Sequence, residues 1–193
     1  LPDEEAGGVH GSHWLVEHRP DIFEGVTEAV GEVGGFSLTV RDDLRLYLVQ
    51  TAEKGINWMR LRAAGRAGHG SMLNDANAVT ALCEAVARVG QHRFPLVITP
   101  TVRDFVAELG DALGVELSTD DEEALLAQLG PLAGLVGATL RDTANPTMLE
   151  AGYKVNVIPG EASAHVDGRF LPGHEEEFLA ELDRVIGEKV QRE

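Results

Sequence analysis

Cysteine, basic residues and long apolar runs are scarce or absent in this 193-residue sequence. Its one cysteine, Cys83, cannot form a disulfide within the chain, which fits a reducing compartment, and we expect a cytoplasmic location. No run of about 18 apolar residues could cross a bilayer as a helix. The 16 Lys and Arg residues against 32 Asp and Glu residues give a net charge of −16. Because phosphate binding needs a basic face, this charge argues against nucleic acid and anionic membranes as partners.

The residues that are present are those of a chain with a buried core. Hydrophobic residues make up 44% of the sequence and charged residues 25%, which is ordinary for a globular protein. In residues 1–52, a helix is predicted from Ala6 to His18, where Pro20 ends it. Two β-rich runs, "GFSLTV" and "RLYLVQT", flank a turn-like set at residues 41–43 and predict a hairpin.

Residues 53–193 predict a second domain in which strands and helices alternate. The strand "INWMRLRAAG" leads into a Gly-rich loop and a helix from about Ala76 to Val89. We expect Cys83 in the core because it falls on the apolar stripe of this helix, which comprises Val79, Leu82, Cys83, Val86 and Val89. A helix-rich insert covers about residues 95–136. It includes the helix "STDDEEALLAQLG", for which Ser118 or Thr119 is the predicted cap.

Strands return after the insert as "ATLRDTANPTML", "YKVNVIP" and "EASAHVDGRFLPG". A last helix from about His174 to Val190 has three glutamates in its first turn, where the helix dipole favours them. The element order predicts an α+β, ferredoxin-like β-α-β-β-α-β domain with a helical insert and with its final strand missing. We therefore expect the chain to be part of a longer α/β protein.

Carboxylates near the N-terminus are candidate metal-binding groups. Asp3, Glu4 and Glu5 are adjacent, and buried carboxylates this close need a compensating cation. One could bind a divalent metal ion while its neighbour takes a proton from metal-bound water. Equally, they could be an acidic helix N-terminus with Asp3 as the N-cap. Glu32, before a Gly pair, is either a metal ligand or a solvated loop residue.

His69 is a candidate catalytic residue because three glycines surround it. With Gly65, Gly68 and Gly70 beside it, the imidazole can reach outward into a neighbouring site. Alternatively, Ser71 caps a turn and His69 is an ordinary surface residue.

Two more polar residues are candidates for substrate binding. Asn156 offers an amide donor and acceptor at the end of a strand. Arg169 could bind a substrate carboxylate with its forked guanidinium. Equally, Arg169 and Asp167 could be partners in a structural network, and this is the interpretation we prefer for Asp167.

Five motifs in order resemble those of one enzyme family. They are "DEEAGG", a Glu before a Gly pair, "EKG-x-x-W-x-x-L-x-x-x-G-x-x-GHGS", "NAV-x-x-L" and "NVIP-x-x-A-x-A-x-VD-x-R-x-LPG". The family is the di-zinc metallohydrolases of clan MH, which include glutamate carboxypeptidase, aminoacylase-1, carboxypeptidase S-like enzymes and succinyl-diaminopimelate desuccinylase. The resemblance spans essentially the whole chain. Leu73 departs from it, since the family usually has Pro there, and the family's H-x-D pair, bridging Asp and late His ligand are not in this sequence.

The resemblance implies a di-zinc centre and an oxyanion-binding group. Glu4 is similar to the general base that activates the bridging water, Glu5 to a ligand of one zinc ion, and Glu32 to a ligand of the other. His69 resembles the lid-domain His that reaches into the partner subunit's active site and stabilises the oxyanion of the intermediate. Asn156 resembles the lid residue that holds the substrate's carbonyl.

The resemblance also implies a function for the parent protein. Arg169 resembles the lid residue that holds the substrate's carboxylate, so the parent is expected to cleave an amide bond next to a free carboxylate in a peptide or N-acyl amino acid. Residues 1–52 would be a partial catalytic domain, and residues 53–193 the lid that pairs in a homodimer. The chain alone is expected to be inactive, because it supplies one ligand per zinc ion where about three are usual. The alternative is a non-catalytic α+β dimerisation or binding module.

Overall fold

The computed structural model describes residues 3, 8–31 and 37–193. The chain divides into two compact units, Leu1–Gln50 and Thr51–Glu193. The predicted domain boundary between residues 52 and 53 stays a prediction. Within the described ranges, no helix is long and apolar enough to cross a membrane.

The first unit contains a helix and a hairpin. Helix α1 is Ser12–His18, and a 3-10 helix at Pro20–Phe23 follows it. The predicted start of this helix, Ala6, lies outside the described residues, but residues 8–11 form a bend and turns, so the helix begins later than predicted. Strands β1 (Ser37–Arg41) and β2 (Leu44–Tyr47) pair antiparallel, so the predicted hairpin is confirmed.

The second unit is built on a four-stranded antiparallel sheet. Its strands are β3 (Gly55–Ala64), β5 (Thr143–Ala151), β7 (Glu161–Phe170) and β8 (Val190–Arg192), in the spatial order β5-β7-β3-β8. Helices α2 (Ala78–Gln91) and α6 (Glu175–Ile186) pack on the core of this sheet. Short strands β4 (Gly68–His69) and β6 (Val157–Ile158) pair separately as a ribbon. The predicted α+β, β-α-β-β-α-β fold is confirmed.

The prediction that the final strand is missing is wrong. Helix α6 ends at Gly187, whose φ of +73° turns the chain, and β8 then pairs antiparallel with β3. Arg192 in β8 also binds the carboxylate of Asp183 with two hydrogen bonds of 2.7 and 2.8 Å. With three residues, β8 is too short for a periodic sequence pattern to reveal it.

The core lies between one face of the sheet and the two helices. Alternate residues of the two central strands are buried there: Met59, Leu61, Ala63, Ala162, Ala164 and Val166. The buried stripe of α2 is Ala78, Leu82, Ala85 and Val89. Cys83 lies one position beyond this stripe and is exposed, so its predicted place in the core is wrong. Ala78 and Ala85 complete the buried side of α2 with Leu82 and Val89, whereas Val79 and Val86 are only partly buried.

The insert between α2 and β5 contains three helices. They are α3 (Pro100–Leu113), α4 (Glu122–Leu129) and α5 (Ala133–Gly137), with a 3-10 turn at Gly130–Leu132. Asp121 caps α4 by accepting a 3.0 Å hydrogen bond from the Ala124 amide, so the predicted cap at Ser118 or Thr119 is wrong. The side chain of Ser118 instead accepts a hydrogen bond from the backbone amide of Asp120.

Charged side chains tie the insert to the sheet. Glu122 at the start of α4 forms ion pairs with Arg141, just before β5, and with Arg93, just after α2. Lys54 donates hydrogen bonds to the carbonyl oxygens of Ala138 and Arg141, at 3.2 and 2.7 Å, from the other side of the same loop. These contacts fix where the insert leaves and rejoins the sheet.

We expect Glu122→Gln to lower stability at neutral pH and to weaken its dependence on acid. The hydrogen bond from Arg141, with a second from Arg93, holds the pKa of Glu122 below its ordinary value of 4.5. A carboxylate with a lowered pKa stabilises the folded state above about pH 4.5, and this contribution disappears as the pH falls through the folded-state pKa. Urea unfolding at pH 7 and pH 3.5 measures the difference.

The control for this variant is Glu123→Gln, the exposed neighbouring glutamate in the same helix turn. It should leave the urea midpoint nearly unchanged at both pH values. An equal loss of stability in the two variants at pH 7 would contradict a specific role for the Glu122 ion pairs.

Candidate functional site

The ribbon of β4 and β6 brings His69 and Asn156 together, although 87 positions separate them in sequence. His69 pairs with Val157, and the Gly70 amide donates a 2.9 Å hydrogen bond to the Asn156 carbonyl. Nε2 of the imidazole lies 3.5 Å from Nδ2 of the Asn156 amide. We call these two nitrogens the donor pair.

Ser71 orients the imidazole of His69. Its backbone amide donates to Nδ1 at 3.3 Å, and its hydroxyl oxygen lies 2.8 Å from the same nitrogen. We assign the proton of the neutral ring to Nε2, because Nδ1 is then free to accept the hydrogen bond from the Ser71 amide. The alternative that Ser71 caps a turn and His69 is an ordinary surface residue stays a prediction, and the side chain of Ser71 contacts the imidazole.

The donor pair can bind one oxygen atom from two sides. With the proton on Nε2, both nitrogens are donors and neither can accept from the other. Both side chains are exposed, so an incoming oxygen can reach them. A carbonyl oxygen placed between them would receive two hydrogen bonds, which become stronger as negative charge develops on it.

The loop that carries His69 begins at Gly65, which packs closely against the backbone of Ala76 and Ala78. A Cβ on Gly65 would lie 2.4 Å from the Ala76 carbonyl oxygen and 2.5 Å from the Ala78 nitrogen, so only glycine fits there. Asn74 donates a 2.6 Å hydrogen bond to the Arg66 carbonyl across the same loop. The sequence indicated the role of the glycines but not that of Asn74.

Arg169 lies far from the donor pair, at the opposite end of β7. It lies eight residues from Glu161 along β7, which corresponds to about 26 Å at about 3.3 Å per residue. The ribbon with His69 lies beyond the Glu161 end, where the Gly65 amide donates to the Gly160 carbonyl. Within one chain, Arg169 and the donor pair therefore cannot contact the same small molecule.

Asp167 occupies the fork of Arg169. The two side chains form hydrogen bonds of 2.7 and 3.0 Å, so the predicted structural pairing is present. This pairing raises the pKa of Arg169 above its ordinary value, and the guanidinium is only partly exposed, at 37%. Burial lowers the pKa of Lys54, and the nearby positive charge of Arg169 lowers it further. The guanidinium keeps one terminal nitrogen free of Asp167, which leaves room for a further acceptor.

The predicted catalytic and metal-binding carboxylates Glu4, Glu5 and Glu32 lie outside the described residues. Their neighbour Asp3 has a φ of +55° and accepts a 2.7 Å hydrogen bond from the His10 amide. Across the part of the chain that the structure describes, no group of three or more His, Cys, Asp or Glu side chains could hold a metal ion. The described residues by themselves therefore do not fit a metal site.

One protein family model matches nearly all of the second unit. A family model described as the M20 peptidase dimerisation domain matches residues 51–192. The human N-fatty-acyl-amino acid synthase/hydrolase PM20D1 is 28% identical over 145 residues, which is 72% of this chain and 29% of that protein. The probable carboxypeptidase S-like 2 of Dictyostelium discoideum is 26% identical over 209 aligned positions, covering 96% of this chain and 38% of that protein. The chain thus spans about a third of the length of these curated relatives.

Solved structures with a similar backbone include an M20 family metallo-carboxypeptidase, Sso-CP2, from Sulfolobus solfataricus. The match has a TM-score of 0.44 and 18% identity, and it covers 72% of this chain and 42% of that one. The di-peptidase Dug1p from Saccharomyces cerevisiae matches with a TM-score of 0.43 and 15% identity, covering 72% of this chain and 35% of that one.

Proposed function

Because the chain belongs to the M20 peptidase dimerisation domain family, we propose that it is part of a hydrolase that cleaves an amide bond next to a free carboxylate. The observation that carries this proposal is the donor pair, which offers two hydrogen bonds to one carbonyl oxygen. In amide hydrolysis, that oxygen gains negative charge as the tetrahedral intermediate forms. The names of the curated relatives, a synthase/hydrolase of N-acyl amino acids and a carboxypeptidase-like protein, support the same reaction class.

We assign a different part of the substrate to each end of the sheet. His69 and Asn156 bind the scissile carbonyl, and Arg169 binds the free carboxylate with the nitrogen that Asp167 leaves free. Since about 26 Å separates Arg169 from the ribbon, Arg169 and the donor pair of one chain bind two different substrate molecules. A complete site then needs Arg169 from one chain and the donor pair from another.

A homodimer would supply both chains. The family description supports dimerisation, and we propose that β5 is the strand that pairs. It is nine residues long and lies at an edge of the sheet, with Met148 and Leu149 both more than half exposed. A long, exposed edge strand can pair with a second copy of itself. A bulge at Pro146 limits the pairing to the residues after it.

The di-zinc centre that the resemblance implies remains a proposal for the longer protein. Glu4 would act as the general base, and Glu5 and Glu32 would bind one zinc ion each. Bound zinc would activate a water molecule for attack on the carbonyl. Since the described residues do not fit a metal site, we derive no reaction step through zinc.

A non-catalytic dimerisation module is the second candidate function. The observation that favours it is the completeness of the second unit, in which all four strands and both helices of the β-α-β-β-α-β order are present. Such a unit can fold and pair without a catalytic domain. The two candidates differ in whether a longer protein that contains this chain hydrolyses amides.

We expect residues 1–193 alone to form dimers. Because about three protein ligands per catalytic zinc ion are usual, we also expect them to bind less than about 0.2 zinc ions per chain. Without zinc, they should hydrolyse neither dipeptides nor N-acyl amino acids. The longer protein should hydrolyse at least one of these substrate classes. Elemental analysis, analytical ultracentrifugation and amine-release assays on both proteins measure the three properties. Dimers without hydrolysis in the longer, zinc-loaded protein would favour the module, whereas stoichiometric zinc in residues 1–193 would overturn the assignment of its ligands.

A further inference from the structure

Lys54, the residue before β3, binds the segment that leads into β5 with its whole ammonium group. Its Nζ donates hydrogen bonds to the carbonyl oxygens of Ala138 and Arg141 and, at 3.3 Å, to the hydroxyl oxygen of Thr143. Because a lysine ammonium group has three N–H donors, each donor has an acceptor within the chain. Lys54 therefore has no donor left for a substrate and acts on its surroundings through the residues that it holds.

The last of these residues, Thr143, lies directly opposite Arg169. Thr143 is the first residue of β5, and its partner on β7 is Arg169. Side chains of directly opposite residues project from the same face of a sheet, with their Cβ atoms about 4.5–5.5 Å apart. On its other side, Arg169 pairs with Ile56, which follows Lys54 closely on β3. The side chain of Arg169 is therefore confined between the strand that follows Lys54 and the strand that Lys54 holds.

The buried carboxylate of Asp142 holds the same segment against the end of β7. Asp142 is 6% exposed and accepts a 2.7 Å hydrogen bond from the amide of Leu171, just beyond β7. Burial lowers the pKa of Lys54, the charge of Asp142 raises it, and the charge of Arg169 lowers it. These three charged groups therefore interact at one end of the sheet, where β3 and β5 begin and β7 ends.

We propose that Lys54 is a positioning residue for the carboxylate-binding site: by holding Thr143, it keeps the guanidinium of Arg169 directed at the substrate carboxylate. The inference rests on the proposed function, in which Arg169 binds that carboxylate. Asp167 already takes two hydrogen bonds from the guanidinium, so the direction of the remaining terminal nitrogen decides whether the substrate is bound. The charge of Lys54 also repels that of Arg169. A bound carboxylate reduces this repulsion, which favours an anion over a neutral group.

The test is Lys54→Met in the longer, zinc-loaded protein, because methionine keeps an unbranched side chain without the charge or the donors. The readout is the ratio of kcat/KM for the best substrate over that for its analogue with a carboxamide in place of the carboxylate. We expect this ratio to fall about tenfold through a higher KM for the carboxylate, since one hydrogen bond to a charged group contributes about this factor. The matched control is Lys189→Met, an exposed lysine before β8, which should leave the ratio unchanged.

A second variant, Thr143→Val, removes the acceptor hydroxyl and keeps the branched shape of the side chain. It should lower the same ratio at least about twofold, because Lys54 then loses one of its three acceptors. This variant decides the question if Lys54→Met does not fold, as judged by urea unfolding. An unchanged ratio in either folded variant overturns the inference.

Combining variants separates positioning from a general loss of structure. If Lys54 acts through Arg169, adding Lys54→Met to Arg169→Ala leaves the ratio within about twofold of that of Arg169→Ala alone. A further tenfold fall in the combined variant means that the two residues act independently, and this result overturns the inference.

The outcomes also separate this inference from the proposed function. If Arg169→Ala lowers the ratio but Lys54→Met does not, the inference is wrong and the proposed function stands. An unchanged ratio in Arg169→Ala overturns both, because Arg169 then does not bind the carboxylate. Absence of hydrolysis of every substrate by the wild-type protein also overturns both.

Discussion

Replacing His69 by alanine in the longer, zinc-loaded protein should lower kcat about 100- to 1,000-fold, the usual cost of removing one donor to an oxyanion. KM should change little, because the hydrogen bond gains most of its strength after negative charge develops on the oxygen. Steady-state kinetics on the best substrate measure both constants. The control is His174→Ala, since the His174 side chain makes no capping hydrogen bond to helix α6. A large rise in KM with an unchanged kcat would contradict the oxyanion role.

The same variant tests whether two chains build each site. In a mixed dimer of His69→Ala and Arg169→Ala chains, one site keeps both residues if the donor pair and Arg169 come from different chains. The other site then loses both. Random mixing of the two inactive variants should therefore restore about a quarter of the wild-type activity, because half of the dimers are mixed and each has one intact site.

No recovery on mixing would contradict the two-chain site. Every site of a mixed dimer would then lack one residue, which is the result expected if a single chain supplied both. A single chain cannot supply both residues to one small substrate, because about 26 Å separates Arg169 from the ribbon. Mixing two samples of the same variant is the negative control, because no intact site can form in those dimers.

Replacing Phe178 by alanine should destabilise the second unit by about 3–5 kcal/mol, the usual range for a buried Phe. The Phe178 side chain is completely buried, and its ring lies 5.2 Å from that of Phe94 and 6.1 Å from that of Phe170. Gly168 opposite has no side chain to fill the cavity, since its missing Cβ would lie 2.8 Å from the Phe178 ring. The cavity would therefore stay largely empty.

Urea unfolding of residues 1–193 in a Trp14→Phe background measures this loss, because Trp58 is then the one tryptophan in the sequence and reports on the second unit. The control is Phe23→Ala, because Phe23 is 43% exposed in the first unit. We expect a change of less than about 0.5 kcal/mol for this control, as is usual for surface substitutions. A loss below about 1 kcal/mol for Phe178→Ala would indicate that the core between the sheet and α6 is not packed as described.

The sequence was sufficient for most of the fold, because the elements that it predicts are long. Strands β3 and β7 have ten residues each, so their alternation is clear, and α6 presents an apolar stripe of full helical period. Shorter or ambiguous patterns failed. Strand β8 has three residues, and on α2 the stripes through Leu82 and through Cys83 differ by one position, so only packing distinguishes them.

The motifs in the sequence indicated the family and the residues worth testing, because each motif consists of residues that are close together in the chain. Tertiary structure alone decided which of those residues meet. The pairing of β4 with β6 joins His69 to Asn156 across 87 positions. The direction of β7 carries Arg169 to the other end of the sheet. Strand pairing and direction depend on contacts between distant segments, and no local sequence pattern encodes them.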